Sequence, residues 1–232
     1  MIFHHQDYIV MNSKNSRIPS NLVLSIKNEF NIKYFVETGT YVGNTAYWAS
    51  QYFDRVFTIE KSEELWQKAS SNYTGVDNVQ FIIGDSRQML REVVGKIISP
   101  AIFWLDAHWC GGITYGEGNE CPLIDELQII VNDSYDHFIL VDDARLFLAP
   151  PPKPHSPDQW PDIVSVINVL NSNQTRFIVV IDDVIIAVPG YARQLITKYC
   201  QDVNIDVTLQ DKGKKPILSK ILNRLSHSFT KV

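Results

Sequence analysis

The order of the apolar runs constrains this chain most. Seven short runs rich in β-branched and aromatic residues occur at 34–38, 56–60, 79–83, 101–106, 137–142, 177–181 and 184–188. Stretches of helical period separate the first five, at 44–52, 62–71, 85–94 and 122–131. Ser62 opens the second stretch as an N-cap with Glu63 and Glu64 in its first turn, and Pro122 stands at a helix start. Such alternation predicts βαβ units around a parallel sheet. Only Asp182-Asp183 parts the last two runs, so they read as an antiparallel hairpin, on a turn poorer than Asp-Gly. The expectation is an α/β, doubly wound sheet of seven strands that ends in a hairpin.

Composition agrees with one globular domain: 232 residues, 45% hydrophobic, 20% charged. No run approaches the roughly 20 apolar residues of a spanning helix, and the first residues lack a basic segment followed by a long apolar one. Three cysteines, Cys110, Cys121 and Cys200, are too few and too odd for a disulfide framework. A cytoplasmic protein is expected. Acidic residues outnumber basic ones, 26 to 21, and the stretch 212–231 holds basic residues and no acid. An acidic body argues against nucleic acid as a partner. Ile217, Leu218, Ile221, Leu222 and Leu225 recur at helical spacing beside Lys220 and Arg224, an amphipathic pattern suited to docking on the body, on a second subunit of a homo-oligomer, or on an anionic membrane surface. The chain divides into an N-terminal helical extension (1–30), a main domain (31–190), and a C-terminal helix with a basic tail (191–232).

Between the first strand and first helix lies Glu37-Thr38-Gly39-Thr40-Tyr41-Val42-Gly43-Asn44-Thr45. This is not G-x-G-x-x-G, because Tyr41 replaces the glycine that lets backbone approach a pyrophosphate. Glu37 beside the turn repels a phosphate and attracts a cation. Glu60, 21 residues beyond Gly39, ends the second strand at the spacing of a ribose-binding acid. Gly84-Asp85-Ser86 after the third strand offers a carboxylate and a hydroxyl to an adenine amino group.

A second constellation closes strands four and five. Asp106, with His108 two residues on, follows the fourth, and Asp142-Asp143 follow the fifth. Three neighbouring carboxylates raise one another's pKa unless a cation compensates, and a hard ion such as Mg²⁺ suits oxygen ligands. His108, Cys110 and Cys121 offer a rival zinc set that lacks a clear fourth ligand. The loop 108–121 and the proline-rich loop 150–161 follow the same strands, where open α/β folds bind ligands.

Five parallel strands closed by a hairpin, E-x-G-x-x-x-G-x-T in the first turn, an acid ending strand two and G-D-S after strand three together resemble class I S-adenosylmethionine-dependent methyltransferases across residues 34–190. The resemblance implies a Rossmann-like sheet of order 3-2-1-4-5-7-6. It implies S-adenosylmethionine as cofactor, with Glu37, Gly39, Thr40, Gly43 and Thr45 at the methionine end, Glu60 at the ribose, and Asp85 with Ser86 at the adenine. The loop lacks the middle glycine of the commonest form.

The acids after strands four and five resemble those of metal-dependent O-methyltransferases of the catechol, caffeoyl-coenzyme A and macrocin types. That implies Mg²⁺ held by Asp106, Asp142 and Asp143, with Asp106 and His108 as catalytic residues and His108 as base for an acceptor hydroxyl. FWLDAHWCGG, PLIDEL and VDDARLF also resemble bacterial methyltransferases of glycan and glycoside pathways, which implies a small-molecule or glycan acceptor, a sugar, polyol or phenol. Trp109 or Trp160 could stack on a pyranose, and Arg145 could meet an acidic group of the acceptor or form a surface ion pair. An NAD-dependent oxidoreductase and a non-catalytic S-adenosylmethionine-binding protein remain as rivals.

Overall fold

Alternating side-chain direction along each strand builds the core of this computed structural model, which describes residues 18–109 and 119–211. The strands are β1 (Tyr34–Thr38), β2 (Arg55–Glu60), β3 (Val79–Ile83), β4 (Ala101–Leu105), β5 (Phe138–Val141), β6 (Arg176–Ile181) and β7 (Val184–Pro189). They form one sheet in the order β3-β2-β1-β4-β5-β7-β6. The first five are parallel, and β7 is antiparallel to both β5 and β6. The expected sheet, order and hairpin are thus present.

Val36, Phe57, Ile59, Phe103, Leu105, Ile139 and Val141 point to one face. There they meet α4 (Ser86–Val94), α5 (Leu123–Val131) and α7 (Ile163–Leu170). Phe35, Val56, Ile102, Trp104, Phe138 and Leu140 point to the other, covered by α1 (Ser20–Glu29), α2 (Asn44–Ser50) and α8 (Arg193–Asp211). Both faces of β1, β4 and β5 are therefore buried, and β4 and β5 read as unbroken apolar runs. α1 covers a sheet face rather than an edge, since its Leu22, Val23 and Ile26 share a core with Phe35 and with Ile196 of α8. Two helices complete the set: α3 (Glu63–Asn72), capped by the Ser62 side chain on Leu65 N–H as expected, and a single turn, α6 (Arg145–Leu148).

The hairpin departs from expectation in its chemistry. Asp182 and Asp183 both take positive φ, 49° and 65°, the backbone of a tight type I′ turn that asparagine and glycine usually supply. Asp183 offsets that strain through the carbonyl and carboxylate contacts described below. Helix α7 was not foreseen from the sequence. Its residues IVSVINVL carry a continuous apolar run that gives no clear period. At the opposite edge of the sheet, buried His137 accepts the Ala101 N–H at Nδ1 (3.1 Å) and donates from Nε2 to Asp133 (2.7 Å). That tie fixes the start of β4 against β5. No helix among the described residues is long and apolar enough to cross a membrane. Residues 1–17, Cys110 and the glycine-rich stretch to 118, and the basic tail from Lys212 lie outside the described residues.

Asp162 caps α7 by accepting the Ser165 N–H at 2.7 Å. Asp162→Ala is expected to lower stability through loss of this cap, read as a fall in the urea midpoint.

Candidate active site

Backbone register brings the sequence motifs to one rim. Gly39 N–H extends the β1–β2 ladder to the Ile59 carbonyl (2.9 Å), Asp106 N–H reaches Thr38 O (3.0 Å), and Asp142 N–H reaches Leu105 O (3.1 Å). Gly39, Asp106 and Asp142 therefore each sit one step past a strand end, at the carboxyl edge where open α/β sheets bind ligands. At Gly39, φ is +85° and an added Cβ would lie 2.2 Å from the Asp106 carbonyl oxygen, so this crossing admits only glycine. Tyr41 stands where the commonest form of the motif has glycine and keeps a left-handed backbone, φ 50°, with its ring in solvent. Its N–H donates to Glu60 Oε2 (2.9 Å), while Glu60 Oε1 accepts the Ser62 N–H (2.9 Å). The turn keeps its glycine-like shape because Glu60 holds it.

Two buried carboxyls floor the cleft from opposite faces of β1. Glu37 accepts from the Thr58 hydroxyl (2.6 Å), which is itself 2.6 Å from the Thr40 hydroxyl. Burial pushes Glu37 up to about 8, with nearby Asp106 adding to the rise and the Thr58 and Thr45 hydroxyls opposing it. On the α5 side Glu126 is 1% exposed. Burial pushes it up to about 7 against the Ser86 and Thr38 hydroxyls that face it. Sequence reasoning missed Glu126. PLIDEL carries it at a helical core position, and nothing in the pattern shows an acid turned inward.

Asp85 has other partners than those expected. It caps α4, accepting the Arg87 N–H at 3.1 Å. It also binds the Arg87 guanidinium at 2.6 and 2.8 Å and Lys61 at 2.8 Å. Arg87 first, then Lys61, hold its carboxyl well below the usual range against the opposing effect of burial. Ser86, 6% exposed, faces Glu126 rather than open solvent.

His108 joins the second constellation together. Its Nε2 lies 2.7 Å from Asp143 Oδ2 and its Nδ1 3.7 Å from Asp106 Oδ1. Asp143 Oδ1 receives Arg145 Nη1 at 2.7 Å, and Asp142 Oδ1 accepts the Asp143 N–H at 2.8 Å. The expected Mg²⁺ cage does not fit this arrangement. Both oxygens of Asp143 already meet nitrogen donors, and a divalent ion would have to displace His108 or Arg145. Among the described residues no cluster of three or more His, Cys, Asp or Glu side chains is arranged to hold a metal. Of the zinc alternative, Cys121 is described, and burial pushes its thiol up to about 12. Its partner Cys110 lies outside the described residues.

The proline loop is fastened by Glu120, another residue missed from the sequence. Its carboxylate accepts from Trp160 Nε1 (2.7 Å) and the Ser156 N–H (3.0 Å) and faces His155 Nδ1 at 3.1 Å. Its own carbonyl accepts the Trp109 N–H (2.8 Å). Trp160 is consequently buried against Phe147 and the His108 ring, 5.6 and 5.4 Å between centroids, and offers no sugar platform. Trp109 is half-buried and stands edge-on to His155 at 5.6 Å.

No protein-family profile matches the chain, and no curated protein matches it significantly in sequence. Solved structures do. The chain is similar to a candidate caffeoyl-CoA O-methyltransferase from Staphylococcus aureus at 17% identity and a TM-score of 0.54, over 73% of this chain and 82% of that one. It is similar to a candidate O-methyltransferase from Klebsiella pneumoniae (17% identity, TM-score 0.50, 76% and 83% covered). An O-methyltransferase from Bacillus cereus in complex with SAH matches at 16% identity and a TM-score of 0.50, over 74% and 81%. The chain has the Rossmann-like fold of class I methyltransferases.

The buried Glu37 carboxyl gives a pH signature in the ligand-free protein. Unfolded, Glu37 ionises near its ordinary 4.5, whereas folded it keeps its proton to about 8, so the unfolded state binds fewer protons in between and stability falls as pH rises through that window. Glu37→Gln is expected to gain stability relative to the parent from pH 5 to pH 8, measured by urea denaturation at each pH.

Proposed function

We propose that the protein is an S-adenosylmethionine-dependent O-methyltransferase acting on a hydroxyl of a sugar or a small polyol or phenol. The observation that carries this reading is the pairing of His108 with Asp143 at the strand-four and strand-five rim, across the Gly39–Asp106 crossing from the Glu37 and Glu60 carboxyls. The first turn suits a cationic cofactor without phosphates. Glu60 stands at the end of β2 with both oxygens turned toward backbone donors, and Glu37 lies beneath, ready to ionise beside a positive charge. S-adenosylmethionine, when bound, supplies an electrophilic methyl group on a sulfonium.

The chain's own residues supply the rest. With the Nε2 proton of His108 donated to Asp143, Nδ1 keeps its lone pair on the side of Asp106, the more exposed of its two acidic neighbours. In that tautomer Nδ1 would take the acceptor's hydroxyl proton as the methyl group passes from the sulfonium sulfur to the acceptor oxygen, leaving S-adenosylhomocysteine, and Asp143 would stabilise the imidazolium that results. Glu120, by holding Trp160 against the His108 ring, limits the ring's rotation. Trp109 stands edge-on to His155 beside this pair, and an indole face suits the C–H face of a sugar or an aromatic ring.

Calorimetric titration with S-adenosylhomocysteine and, separately, NAD tests the cofactor class. Binding of the first alone is expected, and binding of NAD alone overturns the reading. Transfer of labelled methyl from S-adenosylmethionine to a panel of catechols and methyl glycosides then tests the chemistry. His108→Ala should lower turnover by about 10² to 10⁴-fold while leaving S-adenosylhomocysteine affinity within roughly twofold.

A further inference from the structure

Three aspartates in left-handed backbone conformation gather beside the candidate site: Asp143 (φ 55°), Asp182 (φ 49°) and Asp183 (φ 65°). Each such residue holds a backbone conformation that side chains disfavour outside glycine, and strain of this kind persists where surrounding contacts over-determine it. Here the contacts form a chain. The Asp183 carbonyl accepts the Ala144 N–H (2.8 Å), and its carboxylate accepts the Arg145 N–H (2.8 Å) and pairs with the Arg145 guanidinium. The same guanidinium nitrogen binds Asp143 Oδ1 (2.7 Å), Asp143 Oδ2 binds His108 (2.7 Å), and His108 faces Asp106 (3.7 Å). Acidic and nitrogenous groups thus alternate along five side chains drawn from three separate segments.

Energy alone does not explain this rail. The Arg145 side chain is 51% exposed and that of Asp183 36%, and ion pairs so open to water add little stability. The inner end is different, because Asp143 is 4% exposed and both of its oxygens are spoken for. A carboxylate this buried needs charge-assisted donors, and the hairpin turn delivers one of them.

We propose that Arg145, anchored by Asp183 across the β6–β7 turn, takes the place at Asp143 that a divalent ion would otherwise fill, so that the site works without a metal and Asp183 and Arg145 are positioning residues for the His108–Asp143 pair. The proposal rests on the methyltransferase reading of the site. It assigns a purpose to a turn whose sequence is otherwise a poor hairpin former: aspartate stands at position 183 because its carboxylate reaches Arg145.

The test is Mn²⁺ binding to the metal-stripped full chain, followed by the paramagnetic resonance signal of the free ion, with S-adenosylhomocysteine binding measured separately by calorimetry. The parent and Asp182→Gly, which alters the same turn outside the rail, should show no saturable Mn²⁺ binding up to about 1 mM. Asp183→Gly keeps the turn, because glycine is favoured at the second position of type I′, yet releases Arg145. That variant and Arg145→Met should bind Mn²⁺ at least about tenfold more tightly than the parent. Saturable micromolar binding to the parent that is lost in Asp106→Asn overturns the proposal, and so does an unchanged Mn²⁺ response in both rail variants. Absence of S-adenosylhomocysteine binding to the parent instead overturns the methyltransferase reading, and the two failures are thereby told apart.

Discussion

Like charges crowded at the carboxyl edge of a buried parallel sheet set the terms for everything around them. Glu37, Glu60, Asp85, Asp106, Glu126, Asp142 and Asp143 all stand at or beside that edge, and ionised together without partners they would repel one another. Six of the seven are accommodated in three ways. Glu37 and Glu126 keep their protons under burial. Glu60 and Asp142 accept backbone N–H groups. Asp85 is met by Arg87 and Lys61, and Asp143 by His108 and Arg145.

These solutions divide the cleft by charge. At the first turn the acids are buried with hydroxyl or backbone partners. At the ends of β4 and β5 the carboxylates already carry nitrogen partners, a setting that holds an imidazole in place. The boundary between the two is the Gly39–Asp106 crossing, where the absence of a side chain lets the turn after β1 lie directly on the end of β4.

Much of the fold was legible because its determinants are local. Strand runs, the Ser62 cap, the Pro122 start and the two-residue gap before β7 each act over a few residues, and all appear as expected. Tyr41 in place of glycine looked like a weakening of the first turn, yet the turn retains its shape through a bond to Glu60 that lies 19 residues away in sequence. Helix α7 escaped notice because a uniformly apolar octet has no face to reveal.

The sequence by itself determined the strand order's raw material and the position of every acid relative to a strand end, since these depend on spacing. Tertiary structure decided which acids keep protons, which are paired, and by whom. Glu120 binding Trp160, Glu126 turned inward beneath Thr38, and Asp183 reaching Arg145 each join segments 38 or more residues apart in sequence. Burial and partner choice are properties of the assembled interior, where a displaced water must be replaced by a specific donor, and no pattern along the chain states which donor that will be.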